Sequence, residues 1–293
     1  MTPLSPQSNP LGSEFAISAN RKLFGKVMTG LVFTCVAISL IPLASILFMV
    51  IANGMAGFSP AVLTELPPAA GMQGGGLRNA IIGTLITCLI GGMISVPFGV
   101  LTAIYTIEFS QGNWIFKLVQ FCTNVLSGVP SIIAGLFSYG IVVLMTGGFS
   151  AVAGGVALSV LMLPTIVRTA EEGLKSVPKT TRMAAVGIGA TNFQSVTQIV
   201  LPAAMPFIAT GVTLAIARAA GETAPLLFTC LFNQYDIQGP WQPTATLSVL
   251  IYNFAISPYK NQQQLAWVAA LIILVIILGI SIFARIISRR KVY

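Results

Sequence analysis

The sequence predicts an all-α membrane protein of six transmembrane helices with both termini in the cytoplasm. Three observations carry that prediction. The 293 residues are 55% hydrophobic and only 8% charged, against about 25% charged in ordinary soluble domains, and the mean hydropathy is +0.89. Six apolar runs are each long enough to approach or exceed the roughly 20 residues that cross about 30 Å of hydrocarbon. The cations are also distributed unevenly between the connections that join those runs.

Residues 1–25 are rich in Ser, Pro and Asn, have no apolar period, and read as a disordered cytoplasmic tail. Residues 26–293 then form the six-helix domain. Arg21, Lys22 and Lys26 precede the first run, about Val27 to Ala52. That run is too long for a signal-peptide core and lacks a small-residue cleavage site, so it is expected to stay as the first helix. Gly54 to Leu77 is a loop with Pro60, Pro67, Pro68 and Gly74-Gly-Gly76. The second run covers about Asn79 to Ile107, where Pro97 and Gly99 should bend or loosen the helix. A polar connection, Glu108 to Asn113, leads to the third run, about Trp114 to Met145. There Ser127-Gly-Val-Pro130-Ser131 reads as a kink, or as a place where backbone and hydroxyl groups open to a pathway. Gly147-Gly148 turns the chain into the fourth run, about Phe149 to Val167.

Arg168 to Val200 is the longest polar insertion after the tail and holds Arg168, Glu171, Glu172, Lys175, Lys179 and Arg182. The fifth span is about Pro202 to Phe228. Asn233 to Gln264 is a loop, and the sixth span is about Leu265 to Ile287.

Six spans place both termini and the 168–200 insertion on one side. Twelve of the fifteen Lys and Arg residues fall on that side, two (Arg78 and Lys260) on the other, and Arg218 lies inside a span. This asymmetry assigns the cation-rich side to the cytoplasm. It also accounts for the net charge of +8 as a topology signal, so no nucleic-acid partner is expected. The chain has no His, which removes imidazole as base, relay or metal ligand. Cys35, Cys88, Cys122 and Cys230 are widely spaced in or beside apolar runs. They read as small buried hydrophobes without disulfides. No metal site or cofactor is expected.

Within the cytoplasmic insertion, Met183 to Pro202 has small residues, a glycine suited to a sharp turn, and Val196, Ile199 and Val200 at helical spacing. The expectation is two short helices at an angle, either received by a partner groove or lying on the membrane surface.

This stretch resembles the cytoplasmic loop of bacterial ABC importer permeases, which has the form Glu-Ala-Ala, three residues, Gly, nine residues, Ile, one residue, Leu-Pro. Ala184, Ala185, Gly189, Ile199, Leu201 and Pro202 occur at that spacing, with Met183 in place of the usual Glu. Further stretches resemble the phosphate importers in particular: Pro97 to Glu108, Ser127 to Ile132, and, most like the PstA type, Arg168 to Pro178 and Ala217 to Pro225. The resemblance is strongest over about Arg78 to Pro225. It implies a type I (MetI-like) permease fold in the bacterial plasma (inner) membrane, with a core at 78–290 and a coupling loop at 168–202. It also implies a non-enzymatic subunit of an ATP-driven phosphate importer. The implied partners are a PstC-type second permease, a PstB-type ATPase dimer, an extracytoplasmic phosphate-binding protein, and phosphate itself. The sequence agrees on one point: it has no Gly-x-x-x-x-Gly-Lys-Ser/Thr loop, so ATP hydrolysis belongs to another chain.

Arg218 and Glu222 are four residues apart and so share a helix face with Gly211 and Ala215. Small residues there imply a helix–helix contact, with the pair pointing inward. The pair reads either as a structural ion pair or as a pathway site. In the second case the guanidinium meets the anion with parallel hydrogen bonds and Glu222 keeps the binding weak. The resemblance favours the pathway. Arg168 is a further pathway candidate or an interfacial anchor. An ion-coupled secondary transporter is a poorer reading, because Glu222 is the one clearly intramembrane acid. A permease for sulfate or molybdate is a closer alternative.

Overall fold

The computed structural model describes residues 19–110 and 112–289. The expected tail up to residue 18 and the last four residues lie outside that range. The chain divides into two compact units, Met1–Ile51 and Ala52–Tyr293. Helix α1 (Ala19–Ala56) starts earlier than the expected apolar run and is 38 residues long, about 57 Å at 1.5 Å per residue. The larger unit is built from α2 (Arg78–Ile104), α3 (Trp114–Gly128), α4 (Ser131–Ser138), α5 (Ala151–Ser176), α6 (Lys179–Gly187), α7 (Asn192–Ser195), α8 (Leu201–Ala220), α9 (Ala224–Leu227), α10 (Leu247–Ala255) and α11 (Lys260–Arg289).

Five helical segments of the described residues are long and apolar enough to cross a membrane: Asn20–Ala56, Arg78–Phe109, Ala151–Ser176, Asn192–Ala220 and Lys260–Phe283. The bent pair Trp114–Gly128 and Ser131–Thr146 makes a sixth if it is counted as one span. The expected kink in the third run is in fact a break of 106°. Val129 (ψ 126°) and Pro130 (ψ 139°) leave the helical region. Proline drives the residue before it out of the helical conformation, and Gly128 gives that region little helical propensity.

Close helix contacts are made where side chains are smallest. A Cβ on Gly155 would sit 2.4 Å from Ile90 Cγ2, and one on Gly99 would sit 2.7 Å from Ile166 Cγ2, so α2 and α5 meet nearly backbone to backbone. The Gly99 that was expected to loosen α2 therefore makes room for Ile166, and α2 runs unbroken through Pro97. Gly211 of α8 faces Thr169 of α5, where a Cβ would lie 1.9 Å from Oγ1. Without a hydrophobic force between helices in lipid, such small-residue seams supply the packing. Leu158, Met162 and Ile166 of α5 are fully buried.

The fifth span and the stretch after it differ from expectation. The fifth does not start at Pro202. Helix α7 runs through a π-helical turn, Val196–Val200, into α8, so the whole segment Asn192–Ala220 is one helix. Pro202 brings no N–H to the ladder, and a π turn next to it lets the helix continue. The same helix ends at Ala220, eight residues short of the expected Phe228. The stretch after it, expected to be a loop, contains α10, with every residue from Thr244 to Leu250 buried. Leu247 N donates to Thr84 Oγ1 on α2 (2.8 Å), and Gly83 lies against the Ala245 carbonyl. Burial of the four cysteines holds for two: Cys88 and Cys230 are buried, Cys35 and Cys122 exposed.

Candidate functional site

The two short helices expected at 183–202 are α6 and α7, and Gly189 is the turn between them. Ala190 N donates to Ala185 O (3.1 Å) and Gly189 N to Val186 O (2.9 Å). This is the six-to-one and five-to-two pairing of a Schellman motif, which needs a left-handed residue just past the helix. Gly189 supplies it at φ +91°. A Cβ there would meet no heavy atom within 4 Å, so conformation, not space, requires the glycine. Thr191 then opens α7 with a capping box: Gln194 N donates to Thr191 Oγ1 (3.2 Å) and Thr191 N to Gln194 Oε1 (2.9 Å). The Thr-x-x-Gln spacing is a readable signal for that start, and the motif spacing alone does not supply it.

This elbow turns apolar side chains outward. Met183, Val186, Ile188 and Phe193 are all exposed, Ile188 at 85%. Ala184, Gly189 and Pro202 are exposed, Ile199 and Leu201 half-buried, and Ala185 buried. Val196 and Val200 are buried, and Val200 packs with Leu174, Val177 and Ala204.

At the far end of the same helix, Arg218 lies two residues before the end of α8. Its Nε is 3.7 Å from Glu222 Oε1, with the Arg218 side chain 75% exposed and Glu222 22% exposed. The inward direction expected for the pair is thus corrected: Gly211 and Ala215 on that stripe are buried against α5, but Arg218 emerges from it. Gly211 meets Thr169, and Ala215, Ala219 and Ala220 continue the buried contact with Leu158, Met162 and Ile166 of α5. Arg218 and Glu222 lie at the edge of that contact, beside a small recess also lined by Leu161, Met162, Thr165, Ala215 and Ala219. Glu222 is past the helix end. Its carbonyl is held by Ser248 Oγ of α10 (2.9 Å), so the buried segment after the fifth span positions the acid.

Arg168 lies inside α5, not at its end, and donates to Asn124 Oδ1 of α3 (2.5 Å). It is exposed on a different face from Thr169 and does not line the recess at Arg218.

Two polar joints were not expected from the sequence. Glu171 of α5 is buried and accepts from Thr106 Oγ1 (3.0 Å) and from Gln120 Nε2 at both oxygens (2.8 and 2.7 Å). Arg182 of α6 forms a two-pronged pair with Glu108 (Nη2–Oε1 2.8 Å, Nε–Oε2 3.2 Å) and also donates to the Leu174 and Val177 carbonyls. Glu108 follows the second run and Arg182 precedes the loop motif by one residue, so sequence reading leaves each in a polar connection.

Residues 95–293 match the family described as binding-protein-dependent transport system inner membrane components. The phosphate transport system permease protein PstA of Yersinia pestis is 42% identical over 246 residues, which covers 84% of this chain and 83% of that protein. Among solved structures, the fold is shared with a chain of the inward-facing MetNI methionine ABC transporter (20% identity, TM-score 0.58, 74% of this chain and 94% of that one). It is also shared with a chain of a bacterial alginate ABC transporter in complex with alginate pentasaccharide-bound periplasmic protein (16% identity, TM-score 0.64, 90% and 94%).

Proposed function

The chain belongs to the family of binding-protein-dependent transport system inner membrane components, within its PstA type, and from that membership we infer that it is the membrane-spanning permease subunit of an ATP-driven phosphate importer. It is a transport subunit of the inner membrane, not an enzyme; ATP is hydrolysed on a separate subunit. The cation asymmetry supports placing the termini and the 168–202 segment in the cytoplasm. There the elbow at Gly189 docks a cytoplasmic ATPase dimer of the PstB type. A second permease, of the PstC type, completes the pathway, and an extracytoplasmic phosphate-binding protein delivers the anion.

The observation that carries the mechanism is the single helix Asn192–Ala220. One of its ends is the capped elbow and the other carries Arg218, about 40 Å away at 1.5 Å per residue. A continuous helix is stiff along its axis, so displacement of the elbow by the ATPase reaches Arg218 directly. Arg218 is three-quarters exposed on the isolated subunit. An intramembrane cation left so open needs an aqueous pathway or a partner surface. A guanidinium offers phosphate parallel hydrogen bonds and stays charged at any physiological pH. Glu222, at 3.7 Å, holds the guanidinium loosely and competes with the anion, which keeps occupancy brief. At 3.7 Å, with Arg218 three-quarters exposed, the pair lacks the short hydrogen-bonded contact of a structural pin. Arg168, tied to Asn124, flanks the pathway from α5.

The test is uptake of labelled inorganic phosphate into vesicles carrying the complete complex. Uptake should need ATP, the ATPase and the binding protein, and should exceed sulfate and molybdate uptake. Arg218→Gln should lower it roughly ten- to hundredfold or more with the ATPase still bound. Full uptake by a normally assembled Arg218→Gln complex would remove Arg218 from the pathway.

A further inference from the structure

We propose that Arg182 and Glu108 form the joint through which movement of the docking elbow reaches the second span, as positioning residues for coupling. This rests on the reading that the elbow receives the ATPase. Arg182 belongs to α6, one residue before the loop motif. Its partner Glu108 belongs to the π turn Tyr105–Phe109 that continues α2. One guanidinium therefore holds three elements: α6 itself, α2 through Glu108, and α5 through the Leu174 and Val177 carbonyls at its C-terminal end. The same π turn carries Thr106, which donates to the buried Glu171 of α5, and Glu171 also accepts from Gln120 of α3.

The chemistry suits a joint. Glu108 lies near the C-terminal end of its helix, where the macrodipole disfavours an anion, and it is only 7% exposed. A carboxylate there is tolerated only because Arg182 meets it. A buried ion pair brings no general gain in stability over apolar packing, so this one is better explained by geometry. Two parallel hydrogen bonds fix both distance and orientation between guanidinium and carboxylate, which a single point charge does not. Movement of α6 thereby turns and shifts α2 and α5 along with the α7–α8 helix, which is joined to α6 through the elbow.

The experiment measures phosphate taken up per ATP hydrolysed by the complete complex in vesicles, together with ATPase co-purification. Glu108→Gln neutralises the acid while Arg182 keeps its carbonyl partners. It should lower uptake per ATP at least tenfold while the ATPase stays bound and active. Arg182→Lys, which retains the charge but not the fork, should lower it too and carries the test if Glu108→Gln does not assemble. The double variant should be no worse than the worse single one, because the two residues act as a unit. Uptake per ATP within twofold of the unsubstituted complex in either assembled single variant overturns the joint, as does a double variant whose loss is the product of the two single losses. Ile188→Asp separates the underlying reading: it lies on the elbow and outside the joint, and should release the ATPase. An ATPase that stays bound to Ile188→Asp refutes docking at the elbow, whereas the joint is judged on uptake per ATP in complexes that retain the ATPase.

Discussion

Among the described residues two arginine–glutamate pairs occur, and they are built in opposite ways. Arg182 and Glu108 are joined at 2.8 Å with side chains 22% and 7% exposed, and the arginine also closes the end of α5 through the Leu174 carbonyl. Arg218 and Glu222 are 3.7 Å apart, and the arginine is 75% exposed. The first pair uses its hydrogen-bonding capacity inside the protein and suits a rigid joint that keeps its partners. The second leaves a guanidinium facing outward on an apolar helix and suits a site that exchanges partners. The same two residue types serve both purposes, and what distinguishes them is how much of the donor fork the fold itself occupies.

The largest expected effect that sharpens this contrast is on stability. Arg182→Leu leaves Glu108 buried without its partner and should cost about 3–5 kcal/mol, lowering the thermal midpoint of the purified subunit markedly. Arg218→Leu should shift that midpoint little, within about 0.5 kcal/mol. Equal losses would break the distinction. Next comes transport. Arg218→Gln removes charge-assisted hydrogen bonds of about 1.5–3 kcal/mol, so phosphate uptake should fall roughly ten- to hundredfold or more. The elbow is expected to be less sensitive. Gly189→Ala forces a side chain into the φ +91° conformation at a cost of about 1–2 kcal/mol, read as weaker ATPase co-purification. The smallest effect is Thr191→Ala, which removes the cap of α7 for about 1 kcal/mol. It should appear as faster amide hydrogen exchange at Gln194 and its neighbours, with exchange near Arg218 unchanged.

Much of this arrangement is legible in the residues. The apolar runs mark the spans because the bilayer sets a length that composition must meet. Gly189 is legible as a turn, since few other residues suit a left-handed position. What is not legible depends on contacts distant in sequence. Thr244 to Leu250 read as a loop because no period marks them, yet they are buried once Thr84 and Gly83 of α2 receive them. The 106° break at Val129-Pro130 looks locally like any proline kink. The stripe of Gly211 and Ala215 correctly marks a helix contact, but the exposure of Arg218 at its edge depends on which side of α8 the neighbouring helix covers. Pro202 looks like a helix start, and the π turn at Val196–Val200 makes it an interior residue.

That last correction carries the account, because it makes the elbow and Arg218 two ends of one rod. The direct measurement is an electron-spin distance between labels at Asn192 and Leu214, both exposed. The complete complex would have Cys35 and Cys122, the exposed thiols, replaced by Ser. The helix predicts about 33 Å between backbone positions at 1.5 Å per residue. The distance distribution should be single and unchanged between nucleotide-free and ATP-bound complexes. A shift of several ångströms on ATP binding would mean that the helix bends at its π turn, and would contradict direct transmission from the elbow to Arg218.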